Sequence, residues 1–154
     1  MATAYQTLNY SQVQPSGTGH GVHKTNTSLH ATSGAISSWA LNDTVLIGYL
    51  PAGAVVQNVV LKAASQLDSN GAPTLTFDVG LVGSPTLFKS AVTTVGRSAG
   101  ASADTAINAG GLLFKTAARS TVLVTVHNAA ATPLAGAVEV NIDFYVEDAP
   151  GSNP

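Results

Sequence analysis

Val138-Glu139-Val140-Asn141-Ile142-Asp143-Phe144-Tyr145-Val146-Glu147 sets five apolar side chains in strict alternation with residues that are polar or carry a polar tip. Successive side chains of a strand point to opposite faces, so a period of two puts Val138, Val140, Ile142, Phe144 and Val146 on one buried face. A helix would scatter the same residues around its circumference. Thr121 to Val126 repeats the pattern, with Val122, Val124 and Val126 on one side. Leu75, Phe77, Val79 and Leu81 do so again, alternating with Thr74, Thr76, Asp78 and Gly80, which reads as a half-buried strand.

Outward from these, Ala35 to Leu41 and Thr44 to Leu50 read as two more strands, the second stopped by Pro51-Ala52-Gly53. Val55 to Ala64 alternates only in part. Val55, Val59, Leu61 and Ala63 share a face that Gln57 interrupts, while Val56 and Val60 lie on the other. Asp68-Ser69-Asn70-Gly71 is a turn signal. Gly96 to Gly111, rich in Ala, Ser and Gly, reads as a long loop or a short turn of helix, and no amphipathic helix of ten or more residues appears elsewhere. Seven or eight short strands separated by turns predict an all-β, antiparallel two-sheet β-sandwich of jelly-roll or immunoglobulin-like type.

The divisions expected are an extended N-terminal arm over residues 1–28, the sandwich over 29–148 and a flexible tail over 149–154. The arm is polar and lacks either period, with isolated anchors at Tyr5, Leu8, Tyr10 and Val13. With 154 residues, one domain can bury roughly 70% of its unfolded surface. There is no cysteine, which excludes disulfides and thiolate metal sites.

Only 9% of residues are Asp, Glu, Lys or Arg, against about 25% in an ordinary domain, so Ser, Thr, Asn, Ala and Gly must form much of the surface. A net charge of −2 without a basic cluster argues against nucleic acid and against anionic membranes as partners. The opening residues lack a basic stretch followed by an apolar core, and no apolar run is long enough to span a bilayer, so a soluble chain without a secretory signal is expected.

Each trace of chemistry has a weak point. Gly96-Arg97-Ser98-Ala99-Gly100 matches the nucleophile-elbow pattern, with Asp104 and His127 following in order, but the strand-turn-helix setting of that motif is missing. His20, His23 and His30 could offer imidazoles to a metal, yet lack a supporting cysteine or a helical spacing. Glu139, Asp143 and Glu147 share a face of one strand, but neighbours four apart lie roughly 13 Å from each other, beyond the roughly 5 to 9.5 Å of glycosidase pairs. Asp68-Ser69-Asn70-Gly71 begins like a calcium loop without the later acidic ligands. His127 falls on the polar face of its strand, and Tyr145 and Leu123 are expected at the surface. The sequence thus predicts a protein that is not an enzyme, with no catalytic residue, no metal and no cofactor.

The stretches Ile47-Gly48-Tyr49-Leu50-Pro51-Ala52-Gly53-Ala54-Val55-Val56, Leu67-Asp68-Ser69-Asn70-Gly71 and Thr74-Leu75-Thr76-Phe77-Asp78-Val79-Gly80-Leu81 resemble tailed-bacteriophage head proteins, and more narrowly capsid decoration or cement proteins. The resemblance runs from about Thr44 to Glu147 and rests on strand-turn pattern and composition. It implies a β-sandwich on the outside of the mature capsid in the virion, made in the host cytoplasm. The partners it implies are the major capsid protein and other copies of the chain, commonly as a homotrimer. It also implies an arm that reaches neighbours, here through Tyr5, Leu8, Tyr10 and Val13. Phage tail or fibre modules, and carbohydrate-binding or adhesive sandwiches, are the alternatives. The latter are disfavoured by an aromatic content of 6%.

Overall fold

The computed structural model describes residues 4–12 and 26–146. They form nine strands: β1 (Ala4–Gln12), β2 (Asn26–Ser33), β3 (Thr44–Leu50), β4 (Ala54–Ala63), β5 (Thr76–Leu81), β6 (Ser84–Val92), β7 (Ser102–Asp104), β8 (Ser120–Asn128) and β9 (Val138–Val146). One sheet has the order β6-β5-β8-β3 and the other β2-β9-β4-β7, with β1 between β3 and β2. Within each four-stranded sheet every pairing is antiparallel. From β2 onward the chain crosses between sheets at every connection except β5 to β6. Of the two architectures the sequence allows, this wiring is the jelly roll.

β1 closes one side of the sandwich. Ala4 to Gln6 run parallel to Thr44 to Leu46 of β3, then a bulge between Thr7 and Asn9 re-aims the strand, and Asn9 to Gln12 pair antiparallel with Thr32 to Leu29 of β2. A bulge increases local twist, which lets one strand serve two sheets. The stretch expected as an arm therefore supplies, in its described part, β1 and the start of β2. Residues 13–25, including Val13, lie outside the described residues, as does the tail from 147.

The opposite side is closed by side chains and a loop. Lys89 of β6 is 1% exposed, and its Nζ lies 2.7 Å from Asp104 Oδ1 of β7 while also donating to the Ala106 carbonyl. Asn108 then covers the outer edge of β6, its backbone N–H donating to Phe88 O at 2.8 Å and its Nδ2 to Thr86 O at 2.7 Å. Farther along, Val56 N–H donates to Phe114 O and Leu113 N–H to Val56 O, so the same loop caps the edge of β4. Covered edges do not template strand addition.

Between the sheets the core holds Val45, Ile47, Val56, Val59, Leu61, Phe77, Val79, Phe88, Val122, Val124, Val140, Ile142 and Phe144, all essentially buried. Trp39 packs edge-on against Phe77 with ring centroids 5.5 Å apart, and its Nε1 donates to Leu134 O at 3.0 Å. The broken alternation of β4 has a cause: its register against β9 shifts between Val56 and Asn58, making the exposed Gln57 the extra residue of a bulge. Val56 and Val59 can then both face inward.

Four expectations need correction. Ala35 to Leu41 is not a strand: only Ile36 bridges, to Gly136, and the chain then turns because Asp43 Oδ2 accepts the Ala40 N–H and Trp39 turns into the core. β5 is buried on both faces, since β6 folds back over it so tightly that a Cβ on Gly80 would sit 2.2 Å from Ser84 O. Gly96 to Gly111 is the long loop of the two alternatives and has no helical turn, but the short strand β7 interrupts it. Tyr145 is only 9% exposed and Leu123 is half-buried, because both faces of the sheets are partly overlaid.

Candidate functional site

The Asp68 turn is the most elaborate polar structure among the described residues. Its carboxylate is fully buried and accepts five backbone N–H groups: Asn70 and Thr132 on Oδ1 at 3.2 and 3.0 Å, and Thr74, Leu75 and Ala131 on Oδ2 at 2.9, 3.1 and 3.0 Å. Burial alone would raise its pKa. The N–H groups of Thr132, Ala131, Leu75 and Asn70 together outweigh burial and hold it at about 2, against an ordinary 3.8. Around the cage, Arg97 donates to the Leu75 and Thr74 carbonyls, and Gln66 Nε2 to the Asp68 and Arg97 carbonyls. Three loops of one end of the sandwich are thereby locked. The donors that a calcium ion would compete with are backbone N–H groups, which bind an anion and not a cation, so this site is structural.

The residues that could have formed a triad are occupied elsewhere. Asp104 serves Lys89 and accepts the Thr94 hydroxyl at 3.0 Å, while His127 Nδ1 lies 2.9 Å from Asp78 Oδ2. Asp78 is itself buried and accepts the Ala91 N–H at 2.7 Å. His127 is thus tied to a buried carboxylate and is not simply solvated. Gly96 takes a φ of +76° against Leu67, with no helix following Ser98.

On the outward face of the second sheet, β2, β9 and β4 bring His30, Glu139 and Lys62 together. Glu139 Oε1 lies 3.0 Å from His30 Nε2 and 3.1 Å from Lys62 Nζ. Burial pushes the Glu139 pKa up, but the hydrogen bonds from His30 and Lys62 and the lysine's charge more than reverse this and lower it. Asp143, beyond Asn141 along that face, accepts from Asn58 Nδ2 at 3.2 Å. An open depression of about 350 Å³ adjoins this cluster, walled by Lys62, Ala63, Ala64, Ala101, Ser102, Ala103 and Glu139. Besides alanines its walls hold the Lys62–Glu139 pair and Ser102, whose Oγ accepts the Gly96 N–H at 2.9 Å. Among the described residues no three His, Asp or Glu side chains are grouped to hold a metal, and His20, His23 and Glu147 lie outside them.

Exposed apolar side chains include Leu112 (47%) and Leu113 (62%), where the Leu113 N–H donates to Val56 O of β4, Val82 (67%), whose N–H donates to Thr121 O near the start of β8, and Leu41 and Leu134. Near the start of β8, where Tyr49 pairs with Thr121, Arg119 stacks on the Tyr49 ring with its guanidinium carbon 4.0 Å from the centroid. The exposed leucines carry no alternating signal, so sequence periodicity could not single them out.

This architecture matches a chain of the cyanophage Pam1 capsid asymmetric unit, with a TM-score of 0.68 and 30% identity, covering 90% of this chain and 96% of that one. The chain belongs to this family of phage capsid-associated chains. A chain of the Ralstonia phage GP4 capsid shares the fold at a TM-score of 0.66 and 24% identity, covering 96% of this chain and 99% of that one. No protein-family model and no curated protein matches the sequence. Within the capsid-associated family, the end-to-end coverage of both neighbours means that the whole jelly roll, and not a fragment of it, is the shared unit.

Proposed function

We propose that this chain is a decoration or cement protein that binds the outside of a mature phage capsid, as a homotrimer, and stabilises it. The observation that carries this reading is the match, across nearly the full length of both chains, to a chain of a phage capsid asymmetric unit. The major capsid protein is the partner, and neither nucleic acid nor membrane is involved.

The physics of the role is simple. Whatever binds an assembled state in preference to its parts stabilises it by mass action, by about 2.7 kcal/mol per site when the free ligand is at 100 times its Kd. That work needs a rigid body and a complementary surface. The locked loops around Asp68 and the closed sheet edges supply the first. A surface of low charge, with few groups to desolvate, suits the second. Tyr5, Leu8, Tyr10 and Val13 are proposed to contact the capsid or a neighbouring subunit. Because β1 hydrogen-bonds into both sheets, that part of the proposal is tested by substituting these residues and not by deleting them.

The deciding experiment is the copy number and location of the chain on gradient-purified particles, by quantitative gel and antibody-labelled electron microscopy. Many copies spread over the head are expected. A few copies confined to the tail would overturn the reading.

A further inference from the structure

The Asp68 turn holds a second, reactive feature. Of the asparagines in the chain, Asn70 is the one followed by glycine, and both residues are exposed. Asn70 Oδ1 accepts the Ala72 N–H at 2.9 Å, an Asx turn that folds the side-chain amide back over the Asn70–Gly71 peptide. The Gly71 N–H donates to no group among the described residues, and nothing lies within 4 Å of where a Gly71 Cβ would be.

One turn therefore holds a free nucleophile beside an electrophile, and fixed proximity of that kind removes much of the entropic barrier to their reaction. The Ala72 N–H also stands where negative charge would develop on Oδ1, as a preorganised donor does for an oxyanion. Asn70 Nδ2, the group that would leave, donates to Thr132 Oγ1 at 3.2 Å.

We propose that Asn70 is a self-modification site, which converts to aspartyl and isoaspartyl forms through a cyclic imide with Gly71 and thereby loosens the Asp68 cage. The Gly71 nitrogen gives its proton to solvent and bonds to Asn70 Cγ. The electron pair of the Cγ–Nδ2 bond leaves with Nδ2, which takes up a proton and departs as ammonia. One water then opens the imide. Addition at Cγ gives the aspartyl form. Addition at the backbone carbonyl carbon gives the isoaspartyl form, whose main chain runs through the former side chain. Nothing is oxidised or reduced.

The cage feels both products. The Asn70 N–H donates to Asp68 Oδ1 at 3.2 Å, and the converted residue brings a carboxylate of its own beside that buried charge. Like charges in one site disfavour each other's ionised form. In the isoaspartyl form the main chain is also one carbon longer between the Asn70 and Thr74 donors that now meet the same carboxylate. A chain built into a particle is not replaced by fresh synthesis, so slow chemistry accumulates in it.

The test is incubation of the purified full-length chain in mildly alkaline buffer, with peptide mapping by mass spectrometry over time. Asn70 should be mostly converted while Asn108 and Asn128, each followed by alanine, remain amides. Gly71→Ala should hold Asn70 as the amide, because the added methyl hinders ring closure while meeting nothing in the fold. The converted fraction, separated on an ion exchanger by its extra negative charge, should unfold at a lower temperature than the amide fraction. Conversion of Asn70 no faster than that of Asn108 would overturn the modification site, as would conversion undiminished in Gly71→Ala. Equal thermal midpoints for the two fractions would overturn its action on the cage.

Discussion

Replacing Asp68 by Asn changes almost nothing in shape and removes the feature that locks three loops. An amide has one acceptor oxygen where the carboxylate has two. Its better orientation keeps the oxygen at Oδ2, facing Thr74, Leu75 and Ala131, and turns the NH2 toward Asn70 and Thr132 N–H. Two donors then confront a donor in a buried site, at about 1–3 kcal/mol each, and three charge-assisted bonds become neutral ones at about half the strength. The loss comes to about 4 kcal/mol or more, a large fraction of the total stability of a domain of this size. Urea unfolding reads it directly, and the thermal midpoint should fall by roughly 10 °C. The pH dependence gives a second reading. The folded pKa of about 2 lies below the ordinary 3.8, so the stabilisation is fully present above about pH 5 and is lost as pH falls toward 2, an amount of about 2 kcal/mol. The gap between wild type and Asp68→Asn should shrink by that amount over the same interval. A variant within 1 kcal/mol of wild type, or a gap that does not change with pH, would refute the account.

Gly80→Ala should cost about 1–3 kcal/mol or more, because the new methyl meets the Ser84 and Pro85 backbone, which cannot swing aside as a side chain could. Gly71→Ala, with nothing within 4 Å, serves as its control and should stay within about 0.5 kcal/mol; equal costs in a denaturant series would contradict the close approach. Lys89→Ala should lose about 3–5 kcal/mol by stranding Asp104, and limited proteolysis should then cut within residues 93–118. Lys89→Met with Asp104→Leu should recover most of the loss, and failure of any recovery would show that the pair does more than neutralise itself.

The alternation of β8 and β9 was legible because a strand with one face on a core has to repeat every two residues, and Val122 to Val126 and Val138 to Val146 do so in full. β3 was legible as well, bounded by Pro51. Where a bulge intervenes, as at Gln57, the repeat changes phase and periodicity alone reads as ambiguity. β6 escaped because Ser84-Pro85-Thr86 begins it without alternation, and a proline is admissible there only because the strand lies at an edge. Asp68 was recognisable as a turn residue from its neighbours Ser69, Asn70 and Gly71, since their conformational preferences are local. Its cage was not, because the Ala131 and Thr132 donors are more than sixty residues away along the chain.

Composition and local period, then, determined an all-β sandwich, a core of β-branched and aromatic residues, and the lack of any cysteine chemistry, since these depend only on side-chain type and near-neighbour spacing. Only the tertiary structure decided that the sandwich is a jelly roll and that β1 joins its two sheets. It also decided that His127 answers Asp78 and Lys89 answers Asp104, and that Leu112 and Leu113 stand exposed on a fixed turn. The reason is physical: strand order and ion-pair partners are set by which distant segments meet when the core closes, and many closures satisfy the same local alternation.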